Sequence, residues 1–245
     1  MILPIATPDE WWNLWTALIG AVVGSVVGGI ISYVLARQAS NEERARADAA
    51  ILEQKKAIAL RVSAKISKIA SSLGALHTQT EQQIAQAERA GLKTARLSAK
   101  MLPMIGNETR IYFDPDELSL FLSMNDNELL SQLMVLDERH NSLISAFEAY
   151  ATKRAELTAT FPAMMNGQIG TTEMDERTWR MVEPRMVELD MLAEQIRQRA
   201  KEDLEEVTAI LPAFGPKIRA FFKDSTFPIM AVDMSPYADK KGARK

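Results

Sequence analysis

The sequence predicts an all-α protein in which a single N-terminal transmembrane helix continues into a long, coiled-coil-like antiparallel helical bundle. Three observations predict this class. An uncharged run opens the chain, apolar residues recur further on at heptad spacing, and strong helix formers dominate outside a few junctions. Gly and Pro are sparse beyond the opening run, which also favours helix.

The uncharged run extends from Trp11 to Ala36 and holds no Asp, Glu, Lys, Arg or His. About 20 helical residues cross the ~30 Å hydrocarbon layer of a bilayer, so the run is long enough. It is too long for the apolar core of a cleaved signal peptide, and Asp9 and Glu10 stand where such a peptide carries positive charge. The alternative is a buried core helix, although core helices seldom run this far without a charge. We therefore expect an uncleaved membrane anchor.

The flanks of the run predict its orientation. Trp11, Trp12 and Trp15 cluster at one end, as interfacial aromatic residues do, and Arg37 marks the other end. Lys and Arg lie close to the second end alone, so residues 1–10 are expected to form a short extracytoplasmic tail. The protein is then single-pass in the plasma (inner) membrane, with its C-terminal domain in the cytoplasm.

Small residues line one side of the predicted span. Gly20, Gly24 and Gly28 form two overlapping GxxxG steps. Such spacing lets two helix backbones approach closely in lipid, although Gly is also common in membrane helices that do not pair. We expect this face to form a homo-oligomer or to dock on another membrane helix. A second row of small residues lies beside it, at Ala17, Ala21, Ser25 and Gly29.

Residues 37–102 are predicted to form one long membrane-proximal helix. Its apolar residues step by 4-3-4-3, which is the spacing of a heptad stripe. Gly74 and Gly91 are its weak points, and Pro103 with Gly106 should end it. The stripe consists of Val62, Ile66, Ile69, Leu73 and Leu76.

Residues 103–223 are predicted to form a helical hairpin or bundle. Asp114 should cap a short helix with Pro115 at its first position, and Asn125 should start the next helix. The segment 126–161 carries one seam with regular 3-4 spacing, which indicates a long helix that packs on another. The seam consists of Leu133, Leu136, His140, Leu143, Phe147, Tyr150, Arg154, Leu157 and Phe161.

A second long helix should begin near Thr172 and Asp175, after a loop with Asn166-Gly167 as its turn. We expect a kink or a true start at Pro184 and an end at Pro212. A short helix, 217–223, should follow Gly215-Pro216, and residues 224–245 should form an extended basic tail. The two long helices then make an antiparallel hairpin, and the helix from Arg37 completes a three-helix bundle. The second helix carries an apolar stripe of Leu189, Leu192, Ile196, Leu204, Val207 and Ile210.

The search for catalytic chemistry yields few candidates. The chain has no cysteine, no glycine-rich phosphate loop and no Glu-x-x-His motif of the kind that di-iron bundles use. His140 and Arg154 lie on the bundle seam, where we interpret them as a polar layer that fixes helix register rather than as metal or catalytic groups. We predict no enzyme activity, no cofactor and no metal.

The remaining charged residues are interpreted as solvated surface. His77 and Glu81 read as a pair on a helix surface, and Arg61, Lys65 and Lys68 as a solvated patch. The net charge of -3 argues against nucleic acid as a partner. The carboxylates that we assign to the wet face of a helix are Glu202, Asp203, Glu205 and Glu206.

The architecture predicts a membrane-anchored scaffold or interaction protein. Its expected partners are the lipid bilayer, a second copy or another membrane helix, and a soluble protein bound by the bundle. The main alternative is an accessory subunit of a membrane transport, channel or secretion complex. A lysis-type envelope spanner fits poorly because of the charge bias, and a sensor fits poorly because few residues precede the span.

Overall fold

The computed structural model describes residues 8–103, 109–160 and 175–228. These ranges hold five α-helices and no strand, which confirms the all-helical class and the helical bundle. The chain divides into two compact units, Met1–Lys55 and Lys56–Lys245. The helices are α1 (Pro8–Arg89), α2 (Leu97–Lys100), α3 (Pro115–Met124), α4 (Asn127–Ala159) and α5 (Glu176–Phe222).

Helix α1 passes through Gly74 but ends well before residue 102, so the predicted end is wrong. The cause is Gly91, whose φ of 98° is left-handed and suits glycine. The Leu92 N–H donates to the carbonyl of Ala87 at 3.0 Å, and the Gly91 N–H donates to Glu88 at 3.2 Å. These two bonds form a Schellman motif, which satisfies the last carbonyls of the helix.

The first unit contains residues 8–55 of α1. Of the side chains described there, all are exposed except those of Ser40 and Lys55, which are half-buried. Glu42 accepts a hydrogen bond from Gln38 at 3.3 Å and lies 3.8 Å from Arg46. Exposed i,i+4 pairs of this kind stabilise a helix only slightly.

The second unit has an apolar core built by α1, α4 and α5 together. The predicted α1 stripe, from Val62 to Leu76, is buried, which confirms its heptad spacing. Short helices α2 and α3 and the segment 109–114, which is neither helix nor strand, belong to this unit. The largest fully buried side chains include Tyr150, Phe121, Ile66, Ile69, Leu73, Leu133, Leu136 and Ile196.

Helices α4 and α5 pack antiparallel, as the sequence predicts. Three ion pairs join them in opposite chain directions: Lys153 with Glu188 (2.7 Å), Arg139 with Asp203 (3.3 Å) and, from the residue that precedes α4, Asp126 with Lys217 (2.8 Å). Phe161, the Asn166-Gly167 turn and Thr172 lie outside the described residues, as do residues 104–108 and 229–245.

Two of the three predicted helix starts hold and one shifts by a residue. The Asp114 N–H donates to the Glu117 carboxylate at 2.9 Å in a capping box, and Asp175 accepts from the Thr178 N–H at 3.0 Å. Asn125, however, ends α3 in the left-handed region with a φ of 57°. Asp126 therefore caps α4 by accepting from the Leu129 N–H at 3.1 Å.

Helix α5 begins at Glu176, so a true start at Pro184 is wrong. It continues through Pro212 and Pro216, so the predicted end at Pro212 and the separate helix 217–223 after Gly215-Pro216 are wrong as well. Each proline removes one helical hydrogen bond. Phe214, Gly215 and Ile218 are nevertheless buried, so the apolar face continues past the prolines and packing holds the last turns helical. Phe227, beyond the helix end, is also buried, with its ring centroid 5.4 Å from that of Phe222.

Candidate functional site

The predicted helix-packing face carries no packing partner within the described chain. Gly20, Gly24 and Gly28 are exposed on α1. A Cβ atom built on any of them would have no described atom within 4 Å beyond its own helix turn. The face is therefore open to a partner, and its role in self-association stays a prediction.

The apolar residues around this face are exposed as well. Trp12 is 72% exposed, and Arg37 is exposed where the charged part of α1 begins. The side chains of Trp11, Trp15 and Ala17 lie outside the described residues. Exposed large apolar side chains continue along the helix at Leu18, Ile30, Ile31, Tyr33, Val34 and Leu35.

The structure gives no support to the predicted span over residues 11–36. Within the part of the chain that the structure describes, we find no helix that combines the length and the apolar character required to cross a bilayer. The span therefore stays a prediction from the sequence.

The predicted polar layer lies partly inside the bundle core. His140 is completely buried, and its Nε2 lies 3.2 Å from the Ser72 hydroxyl on α1. Its neighbours on the seam, Leu136 and Leu143, are buried too. This hydrogen bond joins α4 to α1, which is the arrangement that a register-fixing residue requires.

Arg154 binds a different element from His140. Its guanidinium donates to the carbonyls of Ser98 and Met101, on and beside α2, and to the Tyr150 hydroxyl. The Tyr150 hydroxyl in turn lies 2.9 Å from the Ser98 carbonyl. Burial raises the pKa of Tyr150, although Arg154 opposes that shift. Asp190 of α5 completes the attachment by accepting from the Ser98 N–H at 2.9 Å.

His77 and Glu81 are not the solvated surface pair that the sequence suggests. Glu81 accepts two hydrogen bonds from the Arg197 guanidinium on α5, at 2.7 and 3.1 Å. His77 is half-buried, and its Nδ1 is buried without a hydrogen-bond partner among the described residues. The pair instead lies where α1 packs against α5.

Lys65 is a half-buried anchor and not part of a solvated basic patch. Its ammonium donates to Glu117 at 2.7 Å, to Asp114 at 2.9 Å and to the Tyr112 carbonyl at 2.8 Å. Glu117 is completely buried, and its other carboxylate oxygen lies 3.9 Å from Arg61. Burial lowers the pKa of Lys65, but hydrogen bonds to Glu117 and Asp114 outweigh it, so the pKa is raised.

Asp203 also departs from the predicted wet face. It is buried between α4 and α5, with Arg139 Nε 3.3 Å from its carboxylate, and Glu206 pairs with the same guanidinium. Burial raises the pKa of Asp203, while Arg139 lowers it. A polar cleft of about 240 Å³ lies beside this group, lined by Glu138, Arg139, Ser142, Arg199, Glu202 and Asp203.

The described ranges contain no group of three or more His, Asp or Glu side chains that could hold a metal ion. The charged contacts that sequence reasoning missed, Lys65 with Glu117 and Arg139 with Asp203, join residues far apart in the chain. Asp203 follows Ala200 and precedes Leu204 on the apolar face, and this position is the one sequence signal for its burial.

No protein-family model matches the chain, and no curated protein or solved structure is significantly similar to it. A function for this chain can therefore be argued only from its own residues and contacts.

Proposed function

We propose that this protein is a membrane-anchored helical scaffold, which self-associates through its glycine-rich N-terminal helix and presents its bundle to a partner in the cytoplasm. One observation carries the proposal. The uncharged run exposes large apolar side chains on all sides of α1, among them Ile30, Ile31, Tyr33, Val34 and Leu35.

Exposed apolar surface on this scale requires a cover. Soluble monomers rarely expose contiguous apolar patches larger than a few hundred Å², and larger ones mark interaction or membrane sites. Lipid suits this run better than a protein groove, because a groove covers one face while the run has no polar face to leave outside. Tryptophans at its start and Arg37 at its end support the same reading.

Self-association is supported by the open glycine positions. Gly20, Gly24 and Gly28 lie on one helix face, and side-chain bulk there would meet no described atom of this chain. In lipid, helices associate by close backbone packing, which small residues at four-residue spacing allow.

The scaffold role of the second unit is supported by where its polar groups point. The charges of half-buried Lys65 and of buried Glu117 and Asp203 contact other side chains of the bundle, and Tyr150 and Arg154 hold α2. These groups are engaged in holding helices together, which fits a rigid presenting domain.

A second candidate function uses the same glycine face. The same open surface would fit the span of another protein, in which case the chain is an accessory subunit of a membrane transport, channel or secretion complex. Purification of the intact protein in mild detergent distinguishes the two. A scaffold that self-associates elutes as a homo-oligomer, whereas an accessory subunit retains other membrane proteins in fixed proportion.

Membrane fractionation with topology reporters tests the anchor. We expect the full chain to stay with membranes after an alkaline carbonate wash and to be released by detergent. A reporter fused after Lys245 should be active in the cytoplasm, and one fused before Met1 should be active outside. Release by carbonate alone, or an exported C-terminus, would refute the anchor or its orientation.

Cross-linking of the full chain in membranes tests self-association. We expect Gly24→Leu to reduce the cross-linked dimer, because a large side chain separates the backbones. Gly29→Leu is the matched control: it makes the same exchange about 140° around the helix, where a Cβ is equally unobstructed. Equal loss in both variants, or in neither, would remove the glycine face from the proposal.

A further inference from the structure

Helix α5 carries a heptad seam on its solvent side, in addition to the seam that faces the core. Its members alternate by three and four residues, and all of them are exposed. We call this set the outer α5 seam. It consists of Arg177, Arg180, Pro184, Val187, Met191, Glu194 and Gln198.

The centre of the outer α5 seam is apolar. Val187 is 40% exposed and Met191 is 61% exposed, with Pro184 between them and the start of the seam. Met181 lies beside Pro184, three residues earlier, and is 63% exposed. Exposed methionine is flexible and polarizable, and it is common at protein-binding surfaces. Three turns of one helix therefore present a continuous apolar strip to solvent.

Charges at the two ends of the seam have opposite signs. Arg177 and Arg180 lie before the apolar strip, and Glu194 lies after it. Arg180 and Glu194 are each seven residues from Val187, so all three share one line along the helix. A helix laid antiparallel on this line and centred at Val187 would need glutamate opposite Arg180 and arginine opposite Glu194. The same α5 meets that requirement.

We propose that a second copy of this chain docks antiparallel on the outer α5 seam, about a two-fold axis at Val187. Apolar residues meet at the centre, and two symmetry-related Arg180–Glu194 pairs flank them. Arg180 already pairs with Glu176 on its own helix, but both side chains are more than three-quarters exposed, so exchanging that pair costs little.

This contact is small, because one helix face contributes it. Contacts below the usual interface size are weak unless the partners are held close together. We therefore expect the contact to form at high protein concentration. The complementarity belongs to α5 alone, so the inference goes beyond the proposed function and does not depend on it.

The absence of cysteine from the chain allows a clean test. Val187→Cys places a thiol on the proposed axis, next to its own copy. We expect this full-length variant, concentrated in mild detergent, to form a homodimer with a short bismaleimide. Met134→Cys, an exposed position on α4, is the matched control and should give at least tenfold less product.

Charge reversal sharpens the test, because symmetry doubles each change. In the Val187→Cys background, Arg180→Glu places like charges opposite each other twice and should lower the initial cross-linking rate about tenfold. Glu194→Arg should do the same. The two reversals together restore both pairs and should bring the rate back to within about twofold of the parent.

Three outcomes would overturn the proposal: equal cross-linking at Val187 and Met134, no rescue by the double reversal, or capture of a different protein at Val187. Gly24→Leu separates this test from the proposed function. If Gly24-dependent dimers persist while Val187→Cys gives no product, the α5 contact fails and the anchor stands. If Val187→Cys still forms product in concentrated Gly24→Leu protein, the contact is independent of the glycine face.

Discussion

Two stretches of helix α1 carry large apolar side chains, and those side chains have opposite fates. Val62, Ile66 and Leu73 are fully buried in the core of the second unit. Ile31 and Leu35, in the first unit, are more than half exposed. The difference lies in what surrounds them. Charged and polar residues separate the first set into a stripe, whereas the second set lies in a run without any charge.

A stripe has one apolar face and can therefore be covered by two other helices, as α4 and α5 do here. A run that is apolar all round cannot be covered in that way without burying its whole circumference. Heptad spacing therefore predicts that a helix packs against other helices of the same chain. A uniformly apolar run predicts contact with lipid or with another protein instead. The predictions below test this contrast from the largest expected effect to the smallest.

Leu73→Ala should cause the largest loss. The side chain is fully buried, so its removal loses burial and leaves a cavity, together about 3–5 kcal/mol of unfolding free energy. Leu35→Ala, on the same helix, is the matched control. It should change the unfolding free energy of the bundle by less than about 0.5 kcal/mol.

Urea denaturation of the full chain in detergent, followed by circular dichroism at 222 nm, measures both variants. Similar losses for Leu73→Ala and Leu35→Ala would mean that the two stretches pack alike, and the contrast between them would be wrong.

Lys65→Met should cause the second-largest loss of unfolding free energy, about 2–3 kcal/mol near neutral pH. The substitution removes charge-assisted hydrogen bonds and leaves the carboxylate of Glu117 buried, with Arg61 3.9 Å away. Lys68→Met is the control: Lys68 was predicted to share the patch with Lys65 but is exposed, so its replacement should have little effect.

The pH dependence of this pair has a defined sign. Because the pKa of Lys65 is raised in the folded state, its contribution is complete below the ordinary value of 10.5. That contribution to stability is lost as the pH rises through the pKa of Lys65 in the folded state. The gap between wild type and Lys65→Met should therefore narrow above pH 10.5, and a gap that widens there would contradict the assignment.

Tyr150→Phe should cost about 1 kcal/mol. It deletes one buried hydroxyl, whose carbonyl partners at Ser98 and Met101 keep their bonds from Arg154. Hydrogen exchange resolved by residue should show the loss concentrated in α2, because the hydroxyl attaches that helix to α4. Uniform loss across the bundle would show that Tyr150 acts by packing instead.

Much of this fold follows from local pattern. The α1 stripe, the α4 seam and the capping box at Asp114 are each set by residues within one helix or turn, and each appears where the spacing predicts it. The end of α1 at Gly91 was visible as a weak point but not as the boundary. Its left-handed φ depends on the chain turning there, which spacing alone does not reveal.

The remaining features depend on contacts between distant residues. Lys65 of α1 meets Glu117 of α3, and Arg139 of α4 meets Asp203 of α5, only after these helices have packed. Charged residues on a helix are usually solvated, so the sequence predicts a surface position for Lys65 and Asp203. Helix α5 likewise continues through Pro216 because Phe214 and Ile218 are buried on either side of it, which outweighs the local cost.

Asp203→Asn should change the unfolding free energy least. The informative result is whether the difference from wild type rises or falls with pH. Burial raises the pKa of Asp203 above its ordinary value of 3.8, with Glu202 adding to the shift and Arg139 opposing it. A carboxyl with a raised folded pKa stabilises the fold fully below its unfolded pKa and loses that contribution as the pH rises through the folded value.

Wild type should therefore lose stability relative to Asp203→Asn as the pH rises from below 3.8 through the pKa of Asp203 in the folded state. Urea midpoints of both proteins across that range measure the difference. Glu205→Gln, at an exposed position two residues on, should show no such trend. The opposite slope would mean that the Arg139 pair outweighs the cost of burying the carboxylate, so that Asp203 is held as an anion. In that case the Arg139–Asp203 contact would resemble the Lys65–Glu117 pair. Both contacts would hold a charged carboxylate inside the second unit, so a stretch of helix need not be purely apolar to be buried there.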